Sequence, residues 1–248
     1  MDKRRKNLAP GALLAPIPPA VVTVGDYENA NMLTIAWTGI LATQPPKTYI
    51  SVRPSRHSYK MLKEKGEFVI NLPSVSMARE VDFVGIYTGA KMDKFEKCRL
   101  TKKKSERVAP PTIAECPIAL ECRVTDVIPM GSHDVFMADI LSVSCHESII
   151  DEEGKMRFER ADLLAYAHGE YYTLGEKVGR FGFSTDKPKK QEKTKKKPEK
   201  PGEKQEKTIK NSEEHKPFYE SAPRGKSIKK KPTDKNKGAP YGRRGAKK

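Results

Sequence analysis

The sequence predicts a mainly β domain, a small antiparallel barrel with two or three short helices, followed by a disordered basic tail. Three observations carry that expectation. Short β-branched and aromatic runs recur through residues 9–183. Two of the runs are long and only the tight turn "MGSH" separates them. Beyond Phe183 aliphatic residues almost vanish, and Lys, Glu and Pro take their place.

The chain opens on a basic arm, residues 1–8, and then "APGALLAPIPPAVVTV". A charged start before an apolar stretch mimics a secretory leader. Pro10, Pro16, Pro18 and Pro19 interrupt it, so an extended lead into a first strand fits better. Strands are expected at 20–24, 32–37, 48–53, 67–72, 118–128 and 134–145, with a short one at 163–167. In the strand from Ile118, residues Ile118, Leu120, Cys122 and Val124 share one face, and Glu121, Arg123 and Thr125 take the other. Helices are expected at 56–65, ending on Gly66, and at 75–87, capped by Ser74 or Ser76; 93–97 makes one more turn.

Charge divides the chain. Residues 1–183 carry 25 Lys and Arg against 23 Asp and Glu, whereas the last 65 residues carry 23 against 9. The domain is nearly neutral, and the basic character belongs to the tail, residues 184–248. A tail with almost no aliphatic residues cannot bury enough surface to offset the entropy of ordering it. Non-specific contact with polyanions is the expected use of such a polycation, with solubility alone as the plainer alternative. Cys98, Cys116, Cys122 and Cys145 form no CxxC pair and no zinc-like spacing, so free thiols are expected. No stretch approaches the roughly 18 apolar residues of a membrane span, and the expected compartment is cytoplasmic.

"SVRPSRHSYK", residues 51–60, ends a strand and begins a helix. A helix start presents unpaired N–H groups and a positive dipole end. Arg53 and Arg56 add planar forks that match phosphate oxygens, and Ser58 adds a hydroxyl donor. These ten residues fit equally well two surface arginines paired with Glu64 or Glu67. Upstream, Thr34, Ala36 and Thr38 surround the only tryptophan, Trp37. Small and hydroxyl residues beside one aromatic wall suit a planar ring with polar edges, although a lone Trp more often belongs to a core.

"TIAWTGILATQPPKTYISVRPSRHSY", "GEFVINLP", "GAKMDKFEK", "GSHDVFMADIL" and "YYTLGEKVGRFGFS" occur in that order. With them the chain resembles the flavin reductase-like proteins, in particular the flavoredoxin-type branch with an FMN-binding split barrel. The resemblance covers residues 9–183. It implies that Thr34, Ala36 and Trp37 lie along the isoalloxazine and that Ser51, Val52 and Arg53 follow the ribityl chain. Arg53, Arg56 and Ser58 would hold the phosphate. Asn71 and Lys94 would complete the pocket, Lys94 from the same or the second subunit of a homodimer. His133 would touch a nicotinamide, and Ala138 stands where many relatives carry glycine. His168 would pass near the flavin, although a structural role suits it better.

Two functions follow from the resemblance. One is an oxidoreductase passing hydride from NAD(P)H to FMN and onward to free flavin or a redox partner protein. The other is a carrier that keeps FMN and exchanges electrons with a protein. A third reading takes the barrel and tail as a nucleic-acid-binding module. The near-neutral barrel, without aromatics interleaved with basic residues, argues against it.

Overall fold

The computed structural model describes residues 3–186. Seven strands form one antiparallel sheet: β1 (Ala20–Val24), β2 (Asn31–Ile35), β3 (Thr38–Thr43), β4 (Pro46–Val52), β5 (Glu67–Leu72), β8 (Ile118–Pro129) and β9 (Asp134–Cys145). Two small pairs, β6 (Lys102–Lys103) with β7 (Thr112–Ile113) and β10 (Leu164–Ala167) with β11 (Glu170–Thr173), lie outside it. The helices are α1 (His57–Lys65), α2 (Ala78–Ile86) and α3 (Lys94–Cys98).

Strand order in the large sheet is β2-β1-β5-β8-β9-β4-β3, so its two edges are consecutive in the chain. Laid flat, those edges would stand roughly 29 Å apart. Only Ala36 and Trp37 join them, a span of at most about 11 Å. The sheet therefore curls into a split barrel, closed on that side by chain continuity rather than by strand pairing.

Side-chain alternation sorts the core into two layers. Ala20, Val22 and Val24 of β1 point into the barrel with Leu33, Ile50, Phe68, Ile70 and Phe136. Leu62 of α1 joins that cluster, so the helix covers the barrel interior. Val21 and Met32 face the other way, under Val81 and Val84 of α2 and Phe95 of α3. Burial on both faces explains why "AVVTV" is apolar but for Thr23, whose hydroxyl donates to Pro111 O.

Several local expectations change. The edge strand β3 is added, because its half-exposed "TGILAT" shows no alternation to read. The expected strand end at Ala36 and Trp37 is instead the edge-to-edge link. The segment 75–87 splits into a 3-10 turn, Val75–Met77, and α2, and neither Ser74 nor Ser76 caps it. Ser74 and Ser76 hydrogen-bond each other instead. Glu121 lies on the face expected of it, yet is only 2% exposed. Leu120, Cys122 and Val124 keep to the barrel face, and on the opposite face the Glu121 carboxylate accepts N–H bonds from Glu106 and Arg107 at 3.0 and 2.6 Å. All four cysteines are free thiols. No described helix is long and apolar enough to cross a membrane. The tail from Lys187 onward lies outside the described residues.

Two turns match their sequence signals. Gly66 closes α1 at φ 65°, donating its N–H to Leu62 O. His168 and Gly169, at φ 47° and 99°, form the two-residue turn between β10 and β11. Positive φ at both positions matches the right-handed strand twist, so His168 serves the hairpin.

Candidate flavin site

β4 ends at Val52, and the chain turns through Arg53 O accepting the Arg56 N–H at 3.0 Å before α1 begins. Arg56 is the N-cap residue and supplies no side-chain cap, which leaves first-turn N–H groups without an intrahelical partner. Glu64 pairs with Lys60 and Glu67 with Arg123, at 3.7 and 3.1 Å. Among the described residues no carboxylate lies within ion-pair distance of Arg53 or Arg56. The surface-pair alternative for these arginines thereby loses its partners. Arg56 instead reaches Gly85 O from Nη1, at 3.4 Å.

Strand register brings distant residues to the same end of the barrel. Val52 of β4 faces Asp134 of β9, so Arg53 and His133 are the next residues outward on each strand. Tyr59 of α1 donates to the Asp134 carboxylate and packs edge-on against Phe136, ring centres 5.6 Å apart, tying helix to strand. Arg53 Nε donates to His133 Nε2 at 3.3 Å, and Ser132 Oγ lies 2.9 Å from Nδ1. An accepting Nε2 places the imidazole proton on Nδ1. Partial burial, then the charges of Arg53 and Arg56, lower the His133 pKa and favour this neutral ring. Trp37 is 41% exposed and stacks obliquely on it. Core packing therefore does not account for Trp37.

Around this end lies a cleft of about 230 Å³, lined by Thr34, Ala36, Trp37, Ser51, Val52, Arg53, Arg56 and His133, with Tyr166 across from them. A smaller hollow of about 90 Å³ shares Thr34 and Arg56 and is lined also by Ser58 and Lys94. Ser58 Oγ accepts a bond from Asn31 Nδ2 at 2.7 Å. Its own proton finds no acceptor among the described residues. Lys94 Nζ donates to Met32 O and Val84 O, both at 2.8 Å. Burial first, and then the Arg56 charge, lower its pKa to about 8.

Asn71 takes no part in either hollow. It is fully buried, donates to Val21 O at 3.0 Å and accepts the Ile113 N–H at 2.9 Å, so it joins β1 and β5 to β7. Ala138 likewise sits in the barrel interior, away from the cleft. Conversely, Asn31, Gly89 and Tyr166 line the site without having been singled out from sequence. A Cβ on Gly89 would lie 2.1 Å from Asn31 Oδ1, so a larger residue there would displace the amide that bonds Ser58. Nothing in "NMLTIAW" or "LLAYA" marks these side chains, whose neighbours come from other strands. Among the described residues no His, Cys, Asp and Glu cluster could hold a metal ion.

A split barrel with Arg53 and Arg56 at a helix start beside an exposed Trp37 is the arrangement to set against known proteins. Residues 14–175 match the model of the flavin reductase like domain, and the chain belongs to that family. It is similar to the flavoredoxin of Desulfovibrio vulgaris (Miyazaki F), at 30% identity and a TM-score of 0.69 over 74% of this chain and 100% of that one. A protein of Archaeoglobus fulgidus is 32% identical, covering 55% of this chain and 77% of its own. The NADPH-flavin oxidoreductase of Streptomyces viridifaciens is 27% identical, covering 56% and 72%.

Proposed function

We propose that the chain binds FMN in the paired hollows and acts as a flavin-dependent oxidoreductase. The observation that carries this reading is Arg53 and Arg56, with no carboxylate partner among the described residues, at a helix start without a side-chain cap and in one cleft with Trp37. Arg53, Arg56, Ser58 and the first N–H groups of α1 hold the phosphate. Thr34, Ala36 and Trp37 line the ring, and Ser51 and Val52 the ribityl chain. Lys94 adds positive charge beside the phosphate while its two carbonyl bonds hold it still. The Thr34 hydroxyl donates to Val81 O at 2.6 Å, which leaves its methyl group and backbone for the ring.

When bound, FMN supplies the redox chemistry, accepting a hydride and releasing electrons singly or in pairs. The chain contributes stacking surface, orientation and exclusion of water. No protein acid or base is required, and His133, neutral and held by Arg53, offers a flat contact for a nicotinamide. The chain works as a homodimer in the cytoplasm, with NAD(P)H as donor and free flavin or a redox partner protein as acceptor. Similarity to a flavoredoxin and to an NADPH-flavin oxidoreductase supports both an electron carrier and a reductase. Family membership and a nearly neutral barrel disfavour the nucleic-acid reading.

Anaerobic stopped-flow mixing of the FMN-loaded chain with NADH and with NADPH separates the alternatives. Rapid bleaching of the flavin by either nucleotide marks a reductase. Bleaching by dithionite alone marks a carrier, and failure to retain FMN at all would remove the reading.

A further inference from the structure

Beside the larger cleft lies a third hollow of about 220 Å³, lined by Pro19, Asp82, Ile86 and Tyr171 and by Thr34, Ala36 and Tyr166, which it shares with that cleft. The two spaces therefore meet along one wall and differ in charge. Arg53 and Arg56 line the first, whereas among the described residues Asp82 is the only charged group lining the second. Tyr171 Oη donates to Asp82 Oδ1 at 3.3 Å, and its ring stands edge-on to Tyr166 with centres 5.4 Å apart. Burial, then the charge and hydrogen bond of Asp82, raise the Tyr171 pKa to about 12, so the phenol remains a donor. Among the described residues no Lys, Arg or His lies within 4 Å of the Asp82 carboxylate, and its second oxygen is uncommitted.

A carboxylate beside two aromatic rings attracts a cation twice, through its charge and through the negative faces of the rings. The volume falls below that of a drug-sized site and suits one or two fused rings. We propose that this hollow is a second-substrate subsite for a small planar cation, a heteroaromatic ring that carries its charge toward Asp82. The proposal rests on the flavin reading only for its purpose, because the hollow shares Thr34, Ala36 and Tyr166 with the cleft proposed for the flavin ring.

The test uses N-methylquinolinium and quinoline at pH 8, where one is a cation and the other neutral. Binding of each to the full chain is followed by calorimetry, with and without FMN. The cation should bind about tenfold more tightly than quinoline. Asp82→Asn should remove that preference and leave FMN affinity unchanged. Tyr171→Phe keeps the ring but frees Asp82, and should retain part of the preference. In the FMN-loaded protein the bound cation should also perturb the flavin absorbance. Equal binding of the two probes, or a preference that survives Asp82→Asn, would overturn the subsite. Cation selectivity in a chain that retains no FMN would instead uphold the cation site and remove the flavin reading.

Discussion

The rings of Trp37 and His133 lie 4.6 Å apart at 46° to each other, although 96 positions of sequence separate them. Two strand registers make the contact. Thr38 of β3 pairs with Ile50 of β4, which places Trp37 beside Ser51, whose N–H bonds Trp37 O at 3.0 Å. Val52 of β4 pairs with Asp134 of β9, which places His133 beside Arg53. Strand β4 is thus the ruler along which the aromatic wall, the imidazole and the first arginine are set.

Arg53→Ala with Arg56→Ala should separate the two ends of a flavin. Each charge-assisted phosphate contact is worth about 1.5–3 kcal/mol. FMN affinity should therefore fall by two orders of magnitude or more, while riboflavin, which lacks the phosphate, should bind nearly as before. Titration of both ligands by fluorescence quenching checks this. Equal weakening of both would place the phosphate elsewhere.

With Lys94 beside the phosphate, as proposed, FMN binding should weaken at alkaline pH. In the flavin-free protein its pKa is lowered to about 8, so its charge is lost as pH rises through that value. A bound phosphate favours the charged form, and binding above pH 8 must take up a proton. Affinity should then fall by up to about tenfold per pH unit. Lys94→Met should flatten that limb of the profile, and an unchanged limb would separate Lys94 from the phosphate.

His133 acts at the other end of the scale. Its folded pKa lies below that of the unfolded chain, so the unfolded state binds more protons as pH falls. Its contribution to stability is fully present above about pH 6.5 and is lost as pH drops through the folded value. Protonation also turns Nε2 into a donor and breaks the Arg53 bond. His133→Gln should remove this acid-side loss from thermal melts of the flavin-free protein; a melt profile with the same acid limb would show that the loss arises elsewhere.

Asn71→Ala should test stability rather than flavin binding. Val21 O and the Ile113 N–H would lose buried partners at about 1–3 kcal/mol each. The denaturant midpoint should fall sharply while the affinity of the folded fraction for FMN stays at the wild-type value. A selective loss of FMN affinity would return Asn71 to the pocket.

Local chemistry was legible in the chain. β-branched runs, Gly66 after a helix, "MGSH" between two long strands and "SVRPSRHSY" at a strand end each depend on neighbours within a few residues, and each was found where expected. The exposed edge strand β3 was not, because an element without one dry face has no periodic pattern. Glu121 takes the face opposite Cys122 as the alternation requires, but its burial was not legible, because the backbone that covers it comes from Glu106 and Arg107, outside the strand. The site itself depended on long-range register. Which of Asn71 and Asn31 meets the hollow, whether Trp37 is core or wall, and whether Arg53 finds a glutamate or His133 were decided by pairing between strands tens of residues apart. Composition and spacing specify which side chains the barrel can offer. Closing the sheet upon itself decides which of them face the same space.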